Sequence, residues 1–188
     1  MNTKRKLIAL LAIATLISIV NASVFVYYPI NLTISPQQPP VVFSAGNNAN
    51  VSDLWGETIT VITSNSNTSL TIKVHPTLQR NYYYDIAKIK NNDDSNTYYI
   101  KFRVTTPIND SGVNEAYLII NGDYDNKIDL KNGGVQPSVW ITLNSSSVFR
   151  VDLYIVLNSF EGGDITVGVD LIISTTNTES PPSTLPGE

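Results

Sequence analysis

Ser23-Val24-Phe25-Val26-Tyr27-Tyr28-Pro29-Ile30-Asn31-Leu32-Thr33-Ile34 is the stretch around which the rest of the chain is arranged. Every even position is apolar or aromatic: Val24, Val26, Tyr28, Ile30, Leu32 and Ile34. The odd positions mix Ser23, Phe25, Tyr27, Pro29, Asn31 and Thr33. Successive side chains of a strand point to opposite faces, so alternation sustained over this length predicts a strand with one apolar face. Fully extended, it reaches about 40 Å at ~3.3 Å per residue.

On the N-terminal side, residues 1–22 have the layout of a secretory signal. Lys4-Arg5-Lys6 forms a basic start, Leu7–Val20 an apolar run, and Val20-Asn21-Ala22 a cleavage site after Ala22. An uncleaved membrane anchor is opposed by the length of the run, which is short of the ~20 apolar residues a span needs. A pilin-type leader, cut after the basic cluster with the helix retained, fits less well because Lys6 meets Leu7 directly and Pro29 soon interrupts a helix. The expected mature chain therefore starts with the alternating stretch, a free N-terminal strand over 23–35.

On its C-terminal side, Pro36, Pro39 and Pro40 fall within residues 36–40. Proline fixes its own φ and restrains the residue before it, so this segment is an extended, semi-rigid spacer. From Val41 the chain reads as strands. The candidates are Val41–Ala45, Glu57–Thr63, Ser69–His75, Tyr82–Lys90, Thr97–Thr105, Ala116–Asn121, Lys127–Lys131, Val139–Leu143, Val148–Leu157 and Ile165–Ser174. Turn formers separate them at Asn91–Asn96, Asn121–Asp123, Asn132–Gly134 and Glu161–Asp164. Only the signal region shows a sustained apolar stretch of helical length. The expected fold is all-β, a sandwich or jelly roll over residues 41–174 with the N-terminal strand added. Residues 175–188, rich in Ser, Thr and Pro, read as a flexible tail.

The composition excludes several functions. The formal net charge is −4, and loss of Lys4, Arg5 and Lys6 makes it more negative by three, which argues against nucleic acid or an anionic membrane surface as partner. There is no cysteine and hence no disulfide framework. His75 is the only histidine, so neither a zinc set nor a Ser-His-acid triad can be assembled. Asp123, Asp125 and Asp129 are spaced like calcium-loop ligands, but the glycine is misplaced and the closing Glu is missing, so the segment reads as a solvated turn. Asn92-Asp93-Asp94 reads the same way. Lys88, Lys90, Lys101 and Arg103 make at most a small basic patch, the solvated face of two strands. No catalytic residue, metal or cofactor is expected.

Six Asn-X-Ser/Thr sequons occur, and Asn21 is discounted with the signal. Asn31, Asn50, Asn67, Asn109 and Asn144 remain as expected N-glycan carriers of a secreted chain. Asn31 sits on the odd face of the N-terminal strand, away from its apolar side.

A strand with one apolar face and unpaired backbone must be covered. Either it folds into its own domain, or it completes the sheet of another subunit by donor-strand complementation. The proline spacer, which holds it away from the body, favours donation. Head-to-tail donation gives an open filament of identical subunits. Pro29 must then face an unpaired edge or a bulge, because it has no N–H to offer.

Tyr27-Tyr28-Pro29-Ile30, Pro39-Pro40-Val41-Val42-Phe43-Ser44-Ala45-Gly46, Tyr82-Tyr83-Tyr84-Asp85 and Gly163–Leu171 together resemble the secreted filament subunits of archaea. These are the thread and bundling-pilus proteins, distantly similar to the TasA/camelysin biofilm-fibre group. The resemblance implies a jelly-roll-like sandwich, a donated N-terminal strand and a glycosylated surface. Some bacterial relatives are described as metallopeptidases, but this chain lacks the His-Glu-x-x-His zinc motif, so that activity is not implied. The sequence thus leads to a structural subunit of an extracellular filament serving adhesion or biofilm cohesion. Val24, Val26, Tyr28, Ile30, Leu32 and Ile34 form its interface. The alternative is a monomeric cell-surface β-sandwich that binds carbohydrate or a protein partner and retains its own first strand.

Overall fold

The computed structural model of the chain describes residues 2–20, 28–64, 66–159 and 164–182, with backbone alone for 15–20. It divides into two units, Met1–Pro36 and Gln37–Glu188.

In the first unit the apolar run forms helix α1, Thr3–Val20. No helix among the described residues is long and apolar enough to cross a membrane. Residues 28–36 carry no regular secondary structure. The strand expected over Ser23–Ile34 is therefore absent from its described part. A strand exists only by pairing, and residues 28–34 have no ladder partner. Val24 and Val26 lie outside the described residues. Tyr28, Ile30, Leu32 and Ile34 are exposed by 83%, 89%, 80% and 77%.

The second unit is all-β. Its strands are β1 (Val41–Ala45), β2 (Thr60–Thr63), β3 (Leu70–Lys73), β4 (Arg80–Asn91), β5 (Tyr98–Thr106), β6 (Val113–Ile120), β7 (Asp123–Asp129), β8 (Gly134–Leu143), β9 (Val148–Leu157) and β10 (Gly168–Ser174). A five-stranded sheet has the order β1-β4-β9-β6-β7, a three-stranded sheet β10-β5-β8, and β2 pairs with β3 as a hairpin. All pairings are antiparallel.

Val151, Leu153, Ile155 and Leu157 of β9 are buried. Ile100, Phe102 and Val104 of β5 are buried as well, and both sets join one apolar core with Ile86, Ile89, Ile120 and Ile128. Only β1 and β9 keep both expected bounds; β2, β6 and β10 start three residues away from the expected position, and β7 and β8 depart furthest, starting four and five residues early. Strand β7 starts at Asp123 rather than Lys127. Asn121 (φ 54°) and Gly122 (φ 78°) both lie in the left-handed region, which makes a two-residue type I′ hairpin that pairs Ile120 directly with Asp123. Asp123, Asp125 and Asp129 therefore stand on a strand, not in a calcium-loop-like turn. Strand β8 starts at Gly134 rather than Val139, because Pro137, which reads as a breaker, is accommodated where the β5–β8 register shifts between Ile100 and Phe102.

Candidate functional site

Side chains of both larger sheets border one open space. On the side where β1 and β10 form the sheet margins, a cavity of about 750 Å³ remains. Val41 and Phe43 of β1, Leu70 and Ile72 of β3, and Val169 and Leu171 of β10 border it. Ile89, Phe102, Leu118, Val151 and Leu153 form its floor. At about 24 cal/mol per Å³, an empty closed void of this size costs about 18 kcal/mol, more than the whole stability of an ordinary domain. The space is therefore an open groove, not a closed void. Its polar members are few. Arg103 Nη2 donates to Asp170 Oδ2 at 2.7 Å, so these two charges answer each other rather than aim at a ligand.

The margins of the two larger sheets differ in how they are protected. Unpaired edges recruit foreign strands unless charge, proline or a covering segment prevents it. At β1 the Phe43 N–H donates to the Asn67 carbonyl at 2.8 Å, so the β2–β3 turn caps that edge. Strand β7 presents Asp123, Asp125, Lys127 and Asp129. Strand β8 carries Pro137. Strand β10, Gly168-Val169-Asp170-Leu171-Ile172-Ile173-Ser174, has a single charge, already paired with Arg103. Among the described residues its outer backbone edge has no hydrogen-bond partner.

The tail approaches the same region. Trp140 Nε1 donates to the Glu179 carbonyl at 3.2 Å, and Pro181 and Pro182 border the cavity. The described part of the tail, 175–182, is thus held on the body.

A second polar cluster lies on the other face of the five-stranded sheet. Asp152, on the face of β9 opposite Val151 and Leu153, is fully buried. It accepts from Tyr82 Oη (2.7 Å), from the Asp85 N–H (2.7 Å) and from Arg150 Nε (2.8 Å). Arg150 also donates to Tyr84 Oη at 2.7 Å and lies over the Tyr84 ring at 4.1 Å. The cluster stabilises an irregularity in β4 between Tyr83 and Ala87, where Asp85 has φ 48°. The segment after β1 covers it: the Gly46 N–H donates to the Ile86 carbonyl at 3.0 Å, and the Asn48 N–H to the Asp85 carbonyl at 3.0 Å. A side chain at Gly46 has no room, since a Cβ there falls 2.0 Å from the Asp85 carbonyl oxygen. Burial first, then hydrogen bonding to Tyr124 and Asp152, raises the Tyr82 pKa. Burial, with the Asp53 charge second, pushes Tyr83 up to about 12. Asp152 and Arg150 are bonded within the cluster, whereas Asp85 Oδ1 is buried without a hydrogen-bond partner among the described residues.

The remaining residues singled out by sequence are placed as follows. Asn31, Asn50, Asn67, Asn109 and Asn144 are all exposed. His75 Nδ1 is 2.9 Å from Asp53 Oδ2, whose carboxylate is nearly buried and also accepts the Trp55 and Glu57 N–H groups. The basic patch does not form. Lys88 and Lys90 belong to β4 of one sheet, and Lys101 and Arg103 to β5 of the other. Arg103 is buried, and Lys101 lies over the Trp140 ring at 4.9 Å. Asp93 is held down at about 2 by hydrogen bonds from the Asn96 side chain, the Ser95 N–H and Tyr98.

Compared with models of known protein families and with curated proteins, the chain matches none.

Proposed function

We propose that this chain is a structural subunit of an extracellular filament, assembled when the N-terminal arm of one copy fills the groove of the next. In this reading the second unit is a jelly-roll-like β-sandwich short of one strand. Val24, Val26, Tyr28, Ile30, Leu32 and Ile34 supply the missing apolar face. Carbohydrate chains on the exposed asparagines and a role in adhesion or biofilm cohesion follow from the same reading, as in the archaeal thread and bundling-pilus proteins that the sequence resembles.

One observation carries it. A groove with an apolar lining runs beside an unguarded strand edge, in a chain that also bears an alternating arm with exposed apolar side chains. Six inserted side chains, at ~1.5–3 kcal/mol each, give on the order of 10 kcal/mol before ordering costs are subtracted. A monomeric carbohydrate binder calls instead for convergent polar groups in the cavity, and the lining here is mostly apolar, with Arg103 donating to Asp170. Electron microscopy of the mature protein with and without residues 23–34 tests the proposal. Filaments are expected only with the arm; filaments of normal length from the shortened chain refute it.

A further inference from the structure

We infer that the incoming arm pairs with β10 alone, runs antiparallel to it, and turns the backbone groups of its even residues toward β10 with Pro29 facing away. This inference rests on the donation proposed above and fixes its edge, direction and register parity.

In a strand of L-residues, the face a side chain occupies and the lateral direction of that residue's N–H and C=O alternate together. Once direction and inward face are set, all inward residues aim their backbone groups to the same side. Strand β1 shows which side. Val41 and Phe43 point inward. The Phe43 N–H points off the sheet to the Asn67 carbonyl, while the Pro40 carbonyl takes the Asn92 N–H at 2.7 Å on the β4 side. The inward residues of β1 therefore aim their backbone at the outer edge, where Asn67 already occupies it.

Strand β10 stands opposite. Strand β5 starts where β4 ends, the intervening turn being closed by Asn91 Nδ2 donating to the Asn96 carbonyl at 2.9 Å. Because β4 is antiparallel to β1, β5 runs with β1, and β10, antiparallel to β5, runs against β1. Strands β1 and β10 thus border the groove with opposite directions and with their apolar faces toward each other. Half a turn about an axis pointing out of the groove exchanges them. That rotation keeps the lateral direction, so Val169 and Leu171 also aim their N–H and C=O at the outer edge. No described group meets them there.

Only one orientation of the arm answers this edge without wasting Pro29. Antiparallel to β10 and with its even side chains inward, the arm points the N–H and C=O of Tyr28, Ile30, Leu32 and Ile34 at β10. Pro29, an odd residue, then faces the open side, where the missing N–H costs nothing. A parallel arm reverses the parity and aims Pro29 at β10. The direction also bears on the source of the arm. Running against β10 means running with β1, so Ile34 finishes at the end of the groove far from Val41, where β1 begins. To insert its own arm, a chain must lead residues 35–40 back along the whole groove, which takes all of the ~20 Å that six extended residues reach. The arm of a second copy meets no such demand.

The test uses residues 37–188, which contain the entire apolar core, and a synthetic peptide of Ser23–Ile34. The peptide is N-methylated at single positions, so that the side chains stay constant. Methylation at Ile30 or Leu32 is expected to weaken binding about tenfold or more, through the lost hydrogen bond and the methyl group forced against β10. Methylation at Asn31 or Thr33 is expected to change it less than about twofold. A reversed pattern, or one blind to parity, overturns the edge and direction and leaves donation standing. No binding by the unmodified peptide overturns the donation as well.

Discussion

Ile30 is 89% exposed in the subunit, and on the proposed assembly it becomes one of the most deeply buried side chains at the joint. Replacing it therefore has opposite consequences for the two states. In the free subunit, Ile30→Ala removes no contact with the core, and the thermal midpoint is expected to shift by less than about 1 °C. In the filament the same change removes three carbon atoms from a groove lined by Phe43, Leu118 and Leu171. Ile→Ala in closed cores costs about 2–5 kcal/mol, and a groove open along one side relaxes more easily, so about 2–3 kcal/mol is appropriate. That is a rise of about 30- to 150-fold in the concentration at which filaments first appear. Sedimentation of filaments across a dilution series reads this threshold, and differential scanning calorimetry of dilute subunit reads the midpoint. Thr33→Ala, on the odd face, serves as the matched control with an unchanged threshold. The reasoning is refuted if Ile30→Ala leaves the threshold where it was. It is also refuted if Ile30→Ala lowers the subunit midpoint as a core truncation does, since Ile30 then packs within its own domain.

Asp152→Ala leaves Arg150 and the Asp85 N–H without their acceptor, and a loss of about 3 kcal/mol is expected, read as a fall of about 6–12 °C in the midpoint. Gly46→Ala forces the Asp85 carbonyl aside and is expected to cost about 2–3 kcal/mol in urea unfolding, with unchanged slope. Tyr83 is raised from 10.0 to about 12 in the folded chain, so its neutral form favours folding below pH 10 and that contribution is lost as pH rises toward 12. Tyrosinate absorbance of Tyr83→Phe against the parent locates this titration. Asp93 works the other way: lowered from 3.8 to about 2, it favours the folded state above pH 3.8 and stops doing so as pH falls toward 2. In a carboxyl NMR titration, Asn96→Ala is expected to return Asp93 toward the ordinary range.

What the sequence made legible was whatever its apolar period could carry. Strand β9 was read with both ends correct, because Val151, Leu153, Ile155 and Leu157 alternate without interruption. Strand β7 was misplaced by the same logic. Of its seven residues only Ile128 is buried, and the strand exists because the Asn121-Gly122 turn delivers it to β6. The basic patch failed for a topological reason. Strands β4 and β5 are consecutive and look like a hairpin, but residues 92–97 cross from one sheet to the other. The burial of Asp152 was not legible, because period 2 separates two faces without saying whether anything covers the second one; the Gly46–Asn48 segment does. The Asp53–His75 pair spans 22 residues and has no local pattern at all.

The candidate site divides along the same line. The arm was proposed from a one-dimensional feature, alternation followed by prolines, and its described part, residues 28–34, forms no strand in the subunit. The groove was not legible, because a gap between two sheets is a property of how strands distant in sequence close against each other. Strands β1 and β10 lie at nearly opposite ends of the body and meet only across the cavity. Pro29 joins the two levels. In the sequence it is a flaw in the strand, a missing donor in the middle of an otherwise regular run. Beside an edge like β10, with nothing bonded on the far side, it becomes compatible with a fully paired strand on one side. It also opposes a second strand adding to the arm from outside. A residue that weakens the prediction of a strand thereby argues for where the strand goes, and for the sheet to end there.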